Sequence, residues 1–421
     1  MPASGPLGRV RLSRIADGLV VAVAVSLPWS TSATGILIVL WLLAFIPTID
    51  LAALRSEMLT WAGGLPVLLW LLAVVGMLWA DASMSERLGG LSSFHRLLVV
   101  PMLLAQSRRS EIGKTVLTGF LISSVVLLVA SGAHAALFHR VLWMKGPIAG
   151  VPVKDYISQS TMFVICAFAL FGIAVDAWRA RRHRYALALV LLALVFLADI
   201  AYIVTGRTAL AVIPILALLF GFKQLGWKGL VTAFAATTVL AGALWTSSPY
   251  LRDRVQLTFT QIGAYEATNE INSTGLRLEF WKKSIGFVAQ APIIGHGTGA
   301  INGLFRQAVV GQNTASAFSS ENPHQQILTV MIQLGLIGAG LLIAMWMAHV
   351  ALFSGPGIVS WIGLIIVVQN AVSSQFNSHL FDFTEGWLYV FGVGVIGGMV
   401  RRAQALRTEA AQSPGQMTNA E

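Results

Sequence analysis

His324 is the residue of this chain with the clearest chemical use. It lies in ENPHQQILTVMIQLGLIGAG, residues 321–340, where a polar turn runs directly into a long apolar stretch. Asn322 suits an N-cap and Pro323 the first helical position, which predicts His324 in the first turn of a helix. There the positive end of the helix dipole disfavours imidazolium. A histidine kept neutral near physiological pH can take a proton from a hydroxyl, the task of a general base. Gly335 lies eleven residues on, about three turns, so it shares a face with His324, and Gly338 is the next small residue along it. Another helix can approach closely there. The blander reading is a capping histidine above a small-residue packing seam.

Two arginines share the segment's character. Arg207, in YIVTGRTALAV, occupies a tight turn between two apolar runs, where a guanidinium is either hydrated or paired with an anion, lipid phosphate included. Arg277, in STGLRLEFWKKSIGFVAQAPIIGHGTG, lies near the start of a helix marked by Leu278, Trp281, Ile285 and Val288 at helical spacing. That helix is expected on the membrane surface or on the bundle. A planar fork of donors suits bidentate contact with phosphate, so these cations and His324 together suggest chemistry on a phosphorylated substrate. Asp382 and Glu385 in HLFDFTEGW border the same face, where Asp382 can orient a base, receive an acceptor hydroxyl, or simply cap the next helix. Arg140, Lys145 and Lys154 add positive charge that can contact phosphorylated lipid.

The elements that must position these residues are membrane helices. With 56% hydrophobic and 11% charged residues and a mean hydropathy of +0.75, the chain is not a soluble globular protein. About twelve apolar windows of spanning length can be drawn. They fall near 15–27, 35–46, 61–80, 87–106, 115–138, 156–175, 185–204, 208–222, 229–245, 325–347, 358–372 and 386–400. Arg9, Arg11 and Arg14 before the first window fit an uncleaved signal anchor. Counting spans puts these arginines with Arg108/Arg109/Lys114, the 179–184 arginines, Lys223/Lys228 and Arg401/Arg402/Arg407 on one side, cytoplasmic by the positive-inside rule. The net charge of +10 is explained by these loops and calls for no nucleic acid. The expected division is 1–246 as N-terminal spans with the Arg207 turn, 247–322 as a long outer loop containing helices, 323–402 as C-terminal spans, and 403–421 as a disordered cytoplasmic tail.

Other features carry less. Cys166 is the one cysteine and falls in a span, so the outer loops hold no disulfide or thiolate site. Gly295-His296-Gly297-Thr298-Gly299 follows no strand and reads as a flexible turn with an exposed histidine, not a nucleotide loop. Arg96 and Asp199 lie inside expected spans and each requires a partner.

The spacing His324-Gln325, nine residues, Gly335, two residues, Gly338 resembles the histidine motif of the O-antigen ligases of Gram-negative bacteria. Gly206-Arg207-Thr208 is similar to the family's arginine motif. The order of Arg277, Trp281, the Pro292-to-Gly299 turn and His324 is that of the O-antigen ligase and polymerase superfamily. The resemblance runs from Ile203 to about Val400, and the first half matches in hydropathy alone. It implies an all-α polytopic bundle of GT-C-like architecture in the bacterial inner membrane, with both termini cytoplasmic and a periplasmic site. The implied reaction moves O-antigen glycan from undecaprenyl diphosphate to a sugar hydroxyl of lipid A–core oligosaccharide, inverting and without metal or cofactor, in keeping with the lack of an Asp-x-Asp pair. His324 would be the base and Arg207 and Arg277 the diphosphate ligands, with Gln325, Asp382, Lys145 and Lys154 contacting substrate. An O-antigen polymerase shares this donor and these residues. A lipid flippase or solute transporter is the alternative of another class, expected to show inverted repeats and charges lining a path across the bilayer.

Overall fold

The computed structural model describes residues 6–137, 148–204 and 206–412, and all regular elements among them are helical. In chain order these are α1 (Pro6–Ser26), α2 (Thr31–Phe45), α3 (Leu51–Met58), α4 (Trp61–Gly76), α5 (Met84–His95), α6 (Val99–Arg109), α7 (Gly113–Leu137) and α8 (Tyr156–Arg179). They are followed by α9 (His183–Tyr202), α10 (Arg207–Ser247), α11 (Pro249–Thr268), α12 (Ser273–Gln290), α13 (Ile301–Ala308), α14 (Gln326–Leu352), α15 (Ile358–Ser373) and α16 (Phe383–Gln412). In hydrocarbon every backbone polar group must be satisfied within the chain, which is why long apolar runs fold as helices. Eight of the helices are long and apolar enough to cross a membrane, or nine if α3 and α4, bent by 85°, count as one broken span.

Each of the roughly twelve apolar windows does lie in a helix, and the difference from eight or nine has three physical sources. α1 carries Arg9, Arg11, Arg14 and Asp17 along its length. α15 has 16 residues. α10 joins two expected spans through Gly226, whose φ of 61° and ψ of −142° are non-helical. The two arms of α10 fold back on each other, since a Cβ on Gly229 would stand 1.9 Å from the Gly221 carbonyl oxygen. Both ends of the hairpin lie beside the end of α9: Tyr202 bonds Ser247 at 2.9 Å, and Ser248 donates to the Ala201 carbonyl at 3.0 Å. Its apex reaches the far end of α14, where Lys223 donates to the carbonyls of Ser354 and Gly355.

α14 is broken as well. Gly335 has φ 62° and ψ −160°, and the 292–299 turn fills the break. His296 and Gly297 donate their N–H groups to the carbonyls of Ile332 and Gln333 at 2.8 and 2.9 Å, while the N–H of Leu336 reaches the Pro292 carbonyl at 2.8 Å. Gly335 is therefore needed less for a smooth helix face than for a close backbone approach, because a Cβ there would sit 2.1 Å from the Ile293 oxygen. Thr298 fixes the turn to α4 through the Ala73 carbonyl at 2.6 Å. The His296 ring bonds the Phe287 carbonyl at 2.8 Å, so this histidine secures the turn and is not simply exposed.

α12 is capped by Asn272, which accepts from the Gly275 N–H. It buries Phe280 and Phe287 against Phe305 of α13 and Ile332 of α14. The expected stripe is thus rotated: Ile285 is 62% exposed, and the face that packs on the bundle carries the phenylalanines. The end of α16 also differs from expectation. It stays helical to Gln412, so residues 403–412 are not disordered, and the remainder of the expected tail lies outside the described residues. At the end of the bundle away from His324, the buried Glu57 pairs with Arg108 at 3.0 Å and Arg401 at 2.9 Å.

Candidate active site

The site assembles at the start of α10, the first turns of α12 and the loops on either side of α14 and α15. Arg207 is the first residue of α10, behind a turn secured when Ser160 of α8 donates to the Val204 carbonyl at 3.2 Å. Its NH1 donates to Thr274 Oγ1 at 2.9 Å. Thr274 and Arg277 are three residues apart on α12 and therefore neighbours on one face, so this bond brings the two arginines together. Burial holds the Arg277 guanidinium below its ordinary range, the Arg207 charge pushes it the same way, and Tyr156 and Asp382 oppose them. Among the described residues neither arginine forms an ion pair with a carboxylate. Two adjacent, partly buried guanidiniums without a counter-ion make a place for an anion.

His324 is not in the first turn of α14. Its φ is 56°, the left-handed region, and the N-cap is Gln325, in extended conformation with φ −156° and ψ 119°. Asn322, the expected cap, instead accepts the His324 N–H at 2.9 Å and the Ser378 hydroxyl at 2.6 Å. The helix starts one turn later than Asn322-Pro323 suggests, because an Asx-type turn uses the same residues as a helix start. Gln325 is also redirected. Its Oε1 caps Leu328 N–H and its Nε2 donates to Gln375 Oε1 at 3.1 Å, so its amide is committed to structure.

The imidazole Nδ1 lies 2.8 Å from Asn377 Oδ1, and Asn377 Nδ2 donates to Asp382 Oδ2 at 2.8 Å. An ionised carboxylate only accepts, which turns the amide nitrogen to Asp382 and the amide oxygen to His324. Nδ1 must then carry the proton, leaving Nε2 with a free lone pair. No partner for Nε2 occurs among the described residues. Phe280 of α12 stacks on the ring with centroids 6.2 Å apart at 26°. Burial lowers the His324 pKa from its ordinary value, the Asn377 bond opposes this, and the Arg277 charge adds to it. The neutral ring is therefore maintained chiefly by burial, not by a place inside the helix. Asp382 is pushed up to about 6 by burial, with Arg96 opposing. It remains mostly ionised at pH 7.

Arg96 finds its partners here: its NH1 donates to the Asp382 carbonyl, and its guanidinium lies 5.8 Å over the Trp387 ring. Asp199 accepts from Ser131 at 2.7 Å, joining α9 to α7. Lys154 turns inward, donating to the Leu27 carbonyl and to Thr384 Oγ1, so it braces α1 against α16 where an outward lipid contact was expected. Lys145 and Arg140 lie outside the described residues. Asn377, Phe280 and Thr274 escaped the sequence reading, as did His379, a fully buried ring held by Ser373 at 2.7 Å. Asn377 lies five residues before Asp382 in an irregular loop, where no periodicity marks it. Among the described residues no three of His, Cys, Asp and Glu gather as a metal site.

No curated protein matches the chain. Residues 192–343 match a family described as O-Antigen ligase. The match begins in α9, starts and ends earlier than the resemblance in the sequence, and contains Arg207, Arg277 and His324 but not Asn377 or Asp382. Over this stretch, which holds Arg207, Arg277 and His324, the chain is similar to the O-antigen ligase/polymerase superfamily.

Proposed function

We propose that the protein is an O-antigen ligase. It transfers the glycan of an undecaprenyl diphosphate-linked O-antigen to a sugar hydroxyl of lipid A–core at the periplasmic face of the bacterial inner membrane. The observation that carries this reading is the unpartnered Nε2 of His324, held by the Asn377–Asp382 relay beside two guanidiniums without a counter-ion.

In the reaction, the acceptor oxygen forms a bond to the anomeric carbon as the carbon–oxygen bond to diphosphate breaks. His324 Nε2 takes the hydroxyl proton. The leaving diphosphate keeps the bonding electron pair, and Arg207 and Arg277 accept its developing charge, each fork suited to two phosphate oxygens. The Asn377 amide fixes the ring so that Nε2 faces the acceptor throughout. One displacement inverts the anomeric configuration. Asp382 acts on the base through Asn377.

The second reading is an O-antigen polymerase, which extends another lipid-linked glycan with the same chemistry. The ligase is favoured because α11, α12 and α13 form the one multi-helix segment on the site face among the described residues. A transporter fits less well: Arg96 and Asp199 are each taken up by local partners, and the cations gather on one face. The test is reconstitution in nanodiscs with purified donor and lipid A–core. Glycan appearing on lipid A–core is the result expected. Elongation of donor alone would establish the polymerase, and no transfer to either acceptor would dismiss both.

A further inference from the structure

Beside the relay lies a cavity of about 420 Å³ that the chemistry above does not use. Gly89, Gly90 and Ser93 of α5 line it together with Asn302 of α13, and it shares Asn322 and Asp382 with the His324 network. Its volume falls in the range of small-ligand sites, roughly 300–1,000 Å³. Its lining contains no arginine or lysine, whereas Glu86, Glu321 and Asp382 supply carboxyl groups, Glu86 being paired with Arg306 of α13. A phosphate would meet these carboxylates in the lining itself. Hydroxyl groups would find amides, hydroxyls and carboxylates, and Gly89 leaves bare helix against which a sugar ring can lie, while Gly90 packs on the Gly299 backbone.

An inverting displacement needs just such a second place, because the attacking group approaches the ring from the face opposite the leaving group. Diphosphate belongs with Arg207 and Arg277, neither of which lines the cavity. We propose that this cavity holds the terminal sugar of the acceptor glycan and presents its hydroxyl to His324. The inference rests on the glycan-transfer reading, and it holds whether that acceptor is carried on lipid A or on a second polyprenyl lipid.

Gly89 offers a clean test, since a Cβ there would meet nothing within 4 Å. In the Gly89→Ala, Gly89→Leu and Gly89→Trp series, each larger side chain starts from the cavity wall while the helix gains a better former than glycine. The acceptor KM should climb along the series, reaching at least about tenfold at tryptophan, with donor affinity unchanged. Asn302→Ala, which removes polar contacts without filling space, should also raise the acceptor KM. If tryptophan prevents accumulation, the smaller steps and Asn302→Ala decide. An unchanged acceptor KM in the folded variants would overturn the assignment. A rise in donor KM alone would also overturn it, giving the cavity to the donor's first sugar. Wild-type protein inactive on any polyprenyl diphosphate glycan would instead remove the proposed function itself.

Discussion

Replacing Asn377 with leucine leaves His324 in place but takes away the oxygen 2.8 Å from its Nδ1. It also removes the donor to Asp382. The imidazole is then free to place its proton on either nitrogen and to rotate, so only part of the population presents a bare Nε2. A buried hydrogen bond of this kind contributes about 1–3 kcal/mol, which corresponds to a loss of roughly 5- to 150-fold in single-turnover transfer at saturating donor. His324→Ala removes the base altogether and should cost about 10²- to 10⁴-fold, with donor binding retained. Because Asn377 acts only through the imidazole, the double variant His324→Ala/Asn377→Leu should be no slower than His324→Ala alone. Strong non-additivity is the signature of two groups serving one step. The measurement is the four single-turnover rates in nanodiscs, with melting curves as the folding control. Additive losses would refute the relay and make Asn377 an independent substrate contact.

Three further outcomes are expected. Arg207→Lys and Arg277→Lys retain charge but lose the planar fork, so each should lose most transfer activity while inserting and accumulating normally, and near-wild-type rates in either variant would remove that arginine from the diphosphate. Asp382, raised to about 6, must be ionised to hold Asn377, so transfer should decline as pH falls through about 6 and this limb should vanish in Asp382→Asn; a flat profile through that pH in the wild type would contradict the arrangement. His324 is lowered from its ordinary value by burial, so the neutral base persists further into acid than a free imidazole would. Gly335→Ala forces a Cβ toward the Ile293 carbonyl at a φ of 62°, and should cost at least about 1–2 kcal/mol of stability from the left-handed backbone alone, read as a fall in the detergent melting temperature.

The membrane helices were legible because hydrocarbon leaves the chain few choices: apolar windows of spanning length fold as helices. Arg207 and His324 stood out for the converse reason, as charged or titratable groups at the ends of such windows, and Arg277 as a cation in the long segment between two of them. The helix start near His324 was misplaced because Asn322 and Pro323 serve an Asx turn as readily as a cap, and only tertiary bonding to Ser378 decides between them. The packed face of α12 was missed because its surroundings are apolar on both sides, so periodicity marks no single inner stripe. Asn377 was invisible since its role comes from two partners, one of them 53 residues earlier in the chain. The role of Gly335 was legible as close approach, but the approaching element was the 292–299 backbone where a helix was expected.

That inserted turn also constrains motion. Leaving α12, the chain is threaded through the break in α14 and exchanges main-chain hydrogen bonds on both sides of Gly335. Phe280 and Phe287 further tie α12 to Ile332 in the first arm of α14. A hinge at Gly335 would therefore tear bonds in two elements at once. Arg277 lies on α12 and His324 just before α14, so the seam ties the two ends of the site together. In the proposed reaction the leaving-group ligand and the base are thus set relative to one another before substrate arrives, and entry has to be accommodated by parts of the chain outside this seam.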